Sequence, residues 1–434
     1  MTAEETSAAT RPGGAAGTAM VRGERPKTGA APFAPGEIFF SRTDGRGVIA
    51  AFNDVFVRIA DYGAGDLIGA PHRIIRHPDM PKGVFHLLWE GIKAGHPIGA
   101  YVKNRARDGL HYWVFALVTP VEGGYLSVRI KPCGDLLPVV EAEYARALAA
   151  EAEGLSPEAS AEAICGRLAG LGFASYAAFQ TEALWQEMQA REAAVGRAPL
   201  RDLAALHRMV VEMRGLRAQT AELRHLLHGA NLLTANMRIV AAKLAEGRRT
   251  ISEIARSYGM MLGEVEAHVE GFGVFDRGAG RHAACTEEGG LFLLCAARLM
   301  EEVRADFAAS AVVLEGVDHA AEGACLARVA EDYAARACAA MEAVSEQARL
   351  LRRNVEFLRR MIVGLSTVRI ACRVESGMLA QRSAGLETII ARIDGLQDGI
   401  AAGLDRIDAA CGAALTGLAD WRGLGGGAAV RRAA

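Results

Sequence analysis

The chain has 434 residues, 51% of them hydrophobic and 23% charged, and a formal net charge of −2. That length suits two or three domains, while the near-neutral charge, with no basic patch interleaved with aromatics, recommends neither nucleic acid nor an anionic membrane as partner. Eight cysteines (133, 165, 285, 295, 325, 338, 372 and 411) are scattered without a CxxC or paired metal-ligand spacing. They read as small buried apolar residues in a reducing compartment, and no metal site is expected.

Met1 to Pro35 carries early acidic residues, then Ala, Gly, Pro and Thr, with no apolar h-region. It reads as a disordered leader (1–35) and not as a signal peptide. Residues 36–132 follow with a different grammar. Strand-like runs Ile38 to Arg42 and Val48 to Phe52 flank TDGRG, whose Asp44-Gly45 and Gly47 supply the positive φ of a tight hairpin. Three or four short helical pieces lie between Asn53, an N-cap residue type, and Ala94, with Pro81 placed to open a helix. Three more strands, Ile98 to Asn104, Leu110 to Thr119 and Tyr125 to Lys131, are joined by Asp108-Gly109 and Glu122-Gly123-Gly124. The pattern predicts an α+β domain, a five-stranded antiparallel sheet with helices on one face and a pocket between, in the element order of a PAS domain.

The motifs IRHPDMP, KNRxxDGxxYWV and GYLSVR closely resemble the FAD-binding PAS domain of Aer-type aerotaxis receptors, over roughly a fifth of the chain. The resemblance implies a flavin pocket with Asn53, Arg76, His77, Asp79, Trp89, Asn104 and Tyr112 in or around it. FAD has a diphosphate that wants Arg or N–H donors, a planar ring that wants apolar walls and a pyrimidine edge that wants amide-like partners. Arg76, Asn53 and Asn104 fit the polar contacts, and Trp89, Tyr112 and Trp113 the walls. Asp79 is placed to hold Arg76 or His77 instead of touching the ligand. Two alternatives stand beside this. In an empty PAS domain Trp89, Trp113 and Phe115 are plain core and His77, beside Pro78, satisfies a carbonyl; in a haem-binding one His72, His77, His86, His96 or His111 is the ligand.

After Lys131-Pro132 the composition turns to Ala, Leu, Glu and Arg, and the rest reads as nearly all helix. Residues 133–199 are expected as connecting helices: Leu136 to Glu153, placed to couple the sheet to an output, and Pro157 to Val195, broken near Gly170 to Gly172. From Leu200 to Glu246 apolar positions step by three and four, and a second series runs from Ile251 to Phe272. An antiparallel hairpin over 200–272 and one long kinked helix both fit that pattern. Gly271 to Gly290 interrupts it, giving a connector at 273–290 that matches no P-loop or dinucleotide fingerprint. Leu291 to Val317, Ala320 to Thr367 and Val368 to Ala410 then read as long helices of a C-terminal bundle (291–422), and 423–434 as a frayed tail. The run Leu291 to Met300, broken by Arg298, is too short for a membrane span.

NLLTANMRIVAAKLAEGRRTISEIA resembles a degenerate chemoreceptor signalling tip. Asn231, Leu232, Leu233, Asn236, Ile239, Ala241, Ala242, Glu246, Gly247, Arg248 and Ala255 match the family pattern if one residue is deleted before Gly247. Met237, Arg238 and Val240 depart from it, as does Arg249-Thr250. The resemblance implies docking to a chemotaxis histidine kinase, its coupling adaptor or other chemoreceptors. The expectation is a cytoplasmic redox or oxygen sensor without enzymatic activity, acting as a homodimer through the helices. A scaffold whose PAS domain holds no redox cofactor, and a flavoenzyme, are the rivals.

Overall fold

The computed structural model describes residues 25–243, 248–270, 286–310, 312, 314–378 and 384–425. Five strands, β1 (Ile38–Asp44), β2 (Ile49–Phe52), β3 (Ile98–Arg105), β4 (His111–Val121) and β5 (Gly124–Ile130), form one antiparallel sheet in the order β2-β1-β5-β4-β3. In the first turn Gly47 alone of Asp44, Gly45 and Gly47 takes the expected positive φ, and the Asp44 carboxylate closes the loop instead. Asp44 Oδ1 accepts from Arg46 N and Val48 N at 2.8 and 2.9 Å, and Gly47 takes φ of +80°. Between β2 and β3 come α1 (Asp54–Ala60), α2 (Ala64–Leu67), a 3₁₀ turn at His72–Ile75 and α3 (Lys82–Lys93). They lie on the inner face of the sheet, and the α+β architecture expected from the sequence is the one observed.

The leader expected to be disordered to Pro35 differs from Arg25 onward. Ala31 N donates to His111 O at 2.8 Å, Arg25 pairs with Asp108 at 2.6 Å, and Phe33 is buried edge-on to Phe39. An alternation of small residues hides one well-placed aromatic anchor.

Three helices, α4 (Leu136–Ala152), α5 (Pro157–Leu168) and α6 (Tyr176–Ala194), close the sheet instead of leading away from it. β3 is an edge strand with free backbone groups, which side chains of these helices satisfy. Gly99 N donates to Gln180 Oε1 at 2.9 Å, while Tyr176 and Tyr144 donate to Gly99 O and Tyr101 O at 3.0 and 2.9 Å. Gly83 lets α5 approach α3, because a Cβ there would stand 2.5 Å from Ser160 Oγ.

The remaining helices are α7 (Arg201–Ala242), α8 (Arg248–Glu270), α9 (Thr286–Ala309), α10 (His319–Met378) and α11 (Ala384–Gly423). α7 and α8 lie side by side, Asn231 bonding Glu266 at 2.6 Å, so the hairpin and not the kinked helix is formed. The expected partition into a 200–272 hairpin and a 291–422 bundle is not what packs. α7 runs antiparallel to α11, Arg406 reaching Glu222 at 3.1 Å, and α11 antiparallel to α10, Arg352 meeting Asp408 at 2.9 Å. At the far end Met237 (α7), Tyr258 (α8), Cys372 (α10) and Gln397 (α11) share one core. Burying each large apolar side chain of such a seam contributes about 1.5–3 kcal/mol.

α10 continues unbroken through Thr367-Val368, where a boundary was expected, because Leu365 and Cys372 keep its buried stripe in phase. α9 begins at Thr286, inside the expected connector; residues 271–285 lie outside the described residues, as do 379–383. Glu246 and Gly247 of the tip pattern and residues 426–434 of the tail also lie outside them. Among the described cysteines Cys295, Cys372 and Cys411 are buried thiols. Among the described residues no helix is long and apolar enough to cross a membrane.

Candidate functional site

Strand alternation assigns every second residue of the sheet to the inner face. There β1 presents Ser41 and Thr43, β5 Tyr125, Ser127 and Arg129, β4 Ala116 and Val118, and β3 Val102 and Asn104. These floor residues are mostly small. Across from them α3 turns Phe85, Leu88, Trp89 and Ile92 inward, at the 3–4 spacing of one helix face. The gap between is a cavity of about 180 Å³, room for on the order of ten waters. Trp89 stands edge-on to Tyr125 at 5.4 Å and walls one side.

The polar lining is rich in donors. Asn104 is 3% exposed, and its Nδ2 has no partner among the described residues; Ser127 Oγ is also buried and unpartnered. Arg129, 4% exposed, donates to Ser41 Oγ at 2.9 Å and to His72 Nε2. Burial lowers the Arg129 pKa to about 10. His72 is half-buried as a residue with its imidazole enclosed and stacked on Phe56 at 6.2 Å; burial, then the Arg129 charge, push its pKa well below 6.5. It is a neutral acceptor toward Arg129.

Arg76 sits at the rim. Its guanidinium lies 4.0 Å over the Phe85 ring and donates to Met80 O at 3.3 Å, and its backbone bridges to Asn104. Burial lowers its pKa, and the charge of Glu151 opposes that. Outside the rim Arg46, Lys82, His86 and Lys93 line a groove continuous with the cavity through Arg76, Phe85 and Trp89. The N-terminus of α3 is capped from outside: Glu151 of α4 accepts from Lys82 N and Gly83 N at 2.8 and 2.9 Å.

Of the eight residues singled out in the sequence, the cavity gathers Arg76, Trp89 and Asn104. The rest stand elsewhere. Asn53 spends its amide on β1, accepting from Phe40 N at 3.3 Å and donating to Ile38 O at 3.1 Å. Asp79 and His77 tie the HPDM turn to the sheet edge: Asp79 pairs with Lys103 at 2.8 Å, and His77 Nδ1 accepts from Asp79 N at 3.1 Å. Tyr112 is on the inner face beyond the cavity, edge-on to Phe39 at 6.4 Å, its hydroxyl buried without a partner among the described residues. Trp113 is on the outer face against Tyr144 at 6.1 Å. Sequence reasoning passed over Ser41, Tyr125, Ser127 and Arg129, and weighed His72 only as a haem ligand. The period-two alternation in GYLSVR carried the signal for three of them, since it puts Tyr125, Ser127 and Arg129 on one face.

A five-stranded antiparallel sheet of this order, with its helices between the second and third strands and a cavity beneath them, is the PAS architecture. Residues 49–128 match the family described as PAS fold. A 118-residue stretch is 40% identical to the aerotaxis receptor of Escherichia coli (strain K12), covering 26% of this chain and 23% of that protein. The chain therefore aligns with about a quarter of the length of that relative. Among solved structures it is similar to a light-oxygen-voltage domain studied with a flavin analogue, at 17% identity and a TM-score of 0.22, over 25% of this chain and 86% of that one. The light-oxygen-voltage domain of a blue-light-activated histidine kinase from Erythrobacter litoralis EL346 follows at 16% identity and 0.20, over 23% and 93%. The front of the chain has the PAS fold.

Proposed function

We propose that the chain is a cytoplasmic redox or oxygen sensor of the aerotaxis type, whose PAS cavity holds FAD and whose helices carry the signal without turning over a substrate. The likeness of the PAS region to an aerotaxis receptor supports the class. The observation that carries the ligand is the donor-rich cavity: Asn104 Nδ2 and Ser127 Oγ, buried without partners among the described residues, suit the acceptors of a flavin pyrimidine edge. Trp89 and Tyr125 wall a planar ring, and Arg46, Arg76, Lys82 and Lys93 at the mouth suit a diphosphate. A flavin supplies there a group whose charge and protonation change with its redox state. The haem alternative is disfavoured because His72, the one histidine lining the cavity among the described residues, already turns Nε2 to Arg129 and Ser41.

Transmission follows from alternation. Residues next to cavity-lining positions face outward onto the helices: Phe40 stands edge-on to Phe307 at 5.0 Å, Arg42 grips Glu322 at 2.7 Å, and Thr119 bonds Tyr333 at 3.1 Å. A change of hydrogen bonding at Ser41, or of packing at Val118, therefore reaches α9 and α10 across one strand. Dimerisation of the bundle and docking to a chemotaxis histidine kinase through its coupling adaptor complete this reading; retention of the adaptor in a pull-down by the full chain checks the latter.

The test is the absorption spectrum of the purified protein before and after reduction. A flavin double band that bleaches on reduction is expected, with Asn104→Leu lowering flavin affinity about tenfold, the worth of one strong hydrogen bond. A colourless protein that also rejects added FAD would favour a scaffold without cofactor.

A further inference from the structure

Arg129 is a buried cation without a counter-ion. No carboxylate pairs with it among the described residues; its two hydrogen bonds go to a serine hydroxyl and a neutral imidazole, and its planar face lies 5.4 and 5.6 Å from the Phe39 and Phe56 rings. Other buried charges of this protein are arranged differently. Arg191, 1% exposed, meets both carboxylate oxygens of Glu302 and two backbone carbonyls, and Glu287 and Glu288 meet Arg217 and Arg214. A buried guanidinium left unpaired costs stability. Arg129 alone among these lines the cavity, so the missing negative charge has room to arrive with a ligand. Ser41 and His72 hold the guanidinium from the side, and Ser127 adds a second donor to the same wall.

We infer that Arg129 is an anion-holding residue, which selects a ligand whose buried edge bears negative charge and, on the flavin reading on which this rests, favours the reduced cofactor over the oxidised one. Two electrons from an external donor and one proton from solvent leave a flavin ring with one net negative charge, on its pyrimidine side. A charge-assisted hydrogen bond from Arg129 is strengthened by that charge and is weaker toward the neutral oxidised ring.

The experiment is a dye-equilibrated reductive titration of the full chain, wild type and Arg129→Gln, with a separate affinity measurement for oxidised FAD. The variant is expected to bind oxidised FAD within about threefold of wild type, but reduced FAD about tenfold more weakly. A tenfold loss of reduced relative to oxidised affinity lowers the midpoint potential by about 30 mV for a two-electron couple; Arg129→Lys should restore most of it. An unchanged midpoint in Arg129→Gln overturns the inference and leaves the flavin reading standing. A wild-type protein that binds no flavin sinks both. If Arg129→Gln fails to fold, the wild type alone decides. Uptake of one proton per two electrons gives a midpoint falling by about 30 mV per pH unit near neutrality, and a slope of about 60 mV, meaning a neutral reduced ring, overturns the inference.

Discussion

On the outer face of the sheet, buried polar groups meet complements within the protein. Glu187, fully buried, accepts from Tyr101 Oη at 2.7 Å and from the backbone N–H groups of Cys133 and Gly134, and Gln180 closes Gly99 N. On the inner face, a few ångströms away through the same strands, Asn104, Ser127 and Arg129 donate, among the described residues, to nothing or to neutral acceptors only. The two faces are equally enclosed, so burial does not separate them; completeness does. The outer face is finished protein interior that ties the sheet to its helices, and the inner face is short of acceptors and of negative charge, as a wall built to receive a ligand would be.

Substitutions on the two faces should therefore have opposite signs. Glu187→Ala strips the acceptor from the buried Tyr101 hydroxyl and from two half-buried N–H groups and is expected to destabilise the protein by on the order of 3–5 kcal/mol, read from denaturant unfolding. A loss below about 1 kcal/mol would show that the outer joint is not complete in the sense argued. Arg129→Met removes a cation that the ligand-free fold carries at a cost, and should raise the stability of the apoprotein by about 2 kcal/mol. Equal or lower stability would mean that Arg129 is satisfied without a ligand.

A smaller effect lies in pH. The His72 imidazole is held well below 6.5 in the folded chain, so below that value the unfolded chain takes up a proton that the folded one does not. Stability should fall as pH drops below about 6.5, by up to about 1.4 kcal/mol per pH unit for one such group. Denaturation midpoints of wild type and His72→Gln at pH 7.5 and 5.5 measure the difference, which should be flatter in the variant. Equal slopes would place the imidazole outside the enclosed wall. His77, lowered by burial and by Lys103, adds in the same direction to both proteins and cancels in the comparison.

The sequence by itself determined the local layer of this protein. TDGRG, DG and EGG set three turns because Gly and Asp tolerate the backbone they need, alternation set five strands, and spacing of three and four set the helices; the motifs around Arg76 and Asn104 marked where a cavity would open. Only the tertiary structure decided which faces meet. Tyr112 and Trp113 are neighbours in one strand, yet one faces inward and the other meets α4, and Asn53 is drawn to the β1 backbone by the pairing of β1 with β2. Arg129 could not be recognised as unpaired until the other walls were in place. α7 found its partner in α11, far along the chain, although its stripe of Leu203, Leu206, Val210 and Met213 fitted a local hairpin as well. Periodicity is a property of one segment and fixes which side is buried; what covers that side, and which buried charge is left without a complement, depends on contacts between residues far apart in sequence.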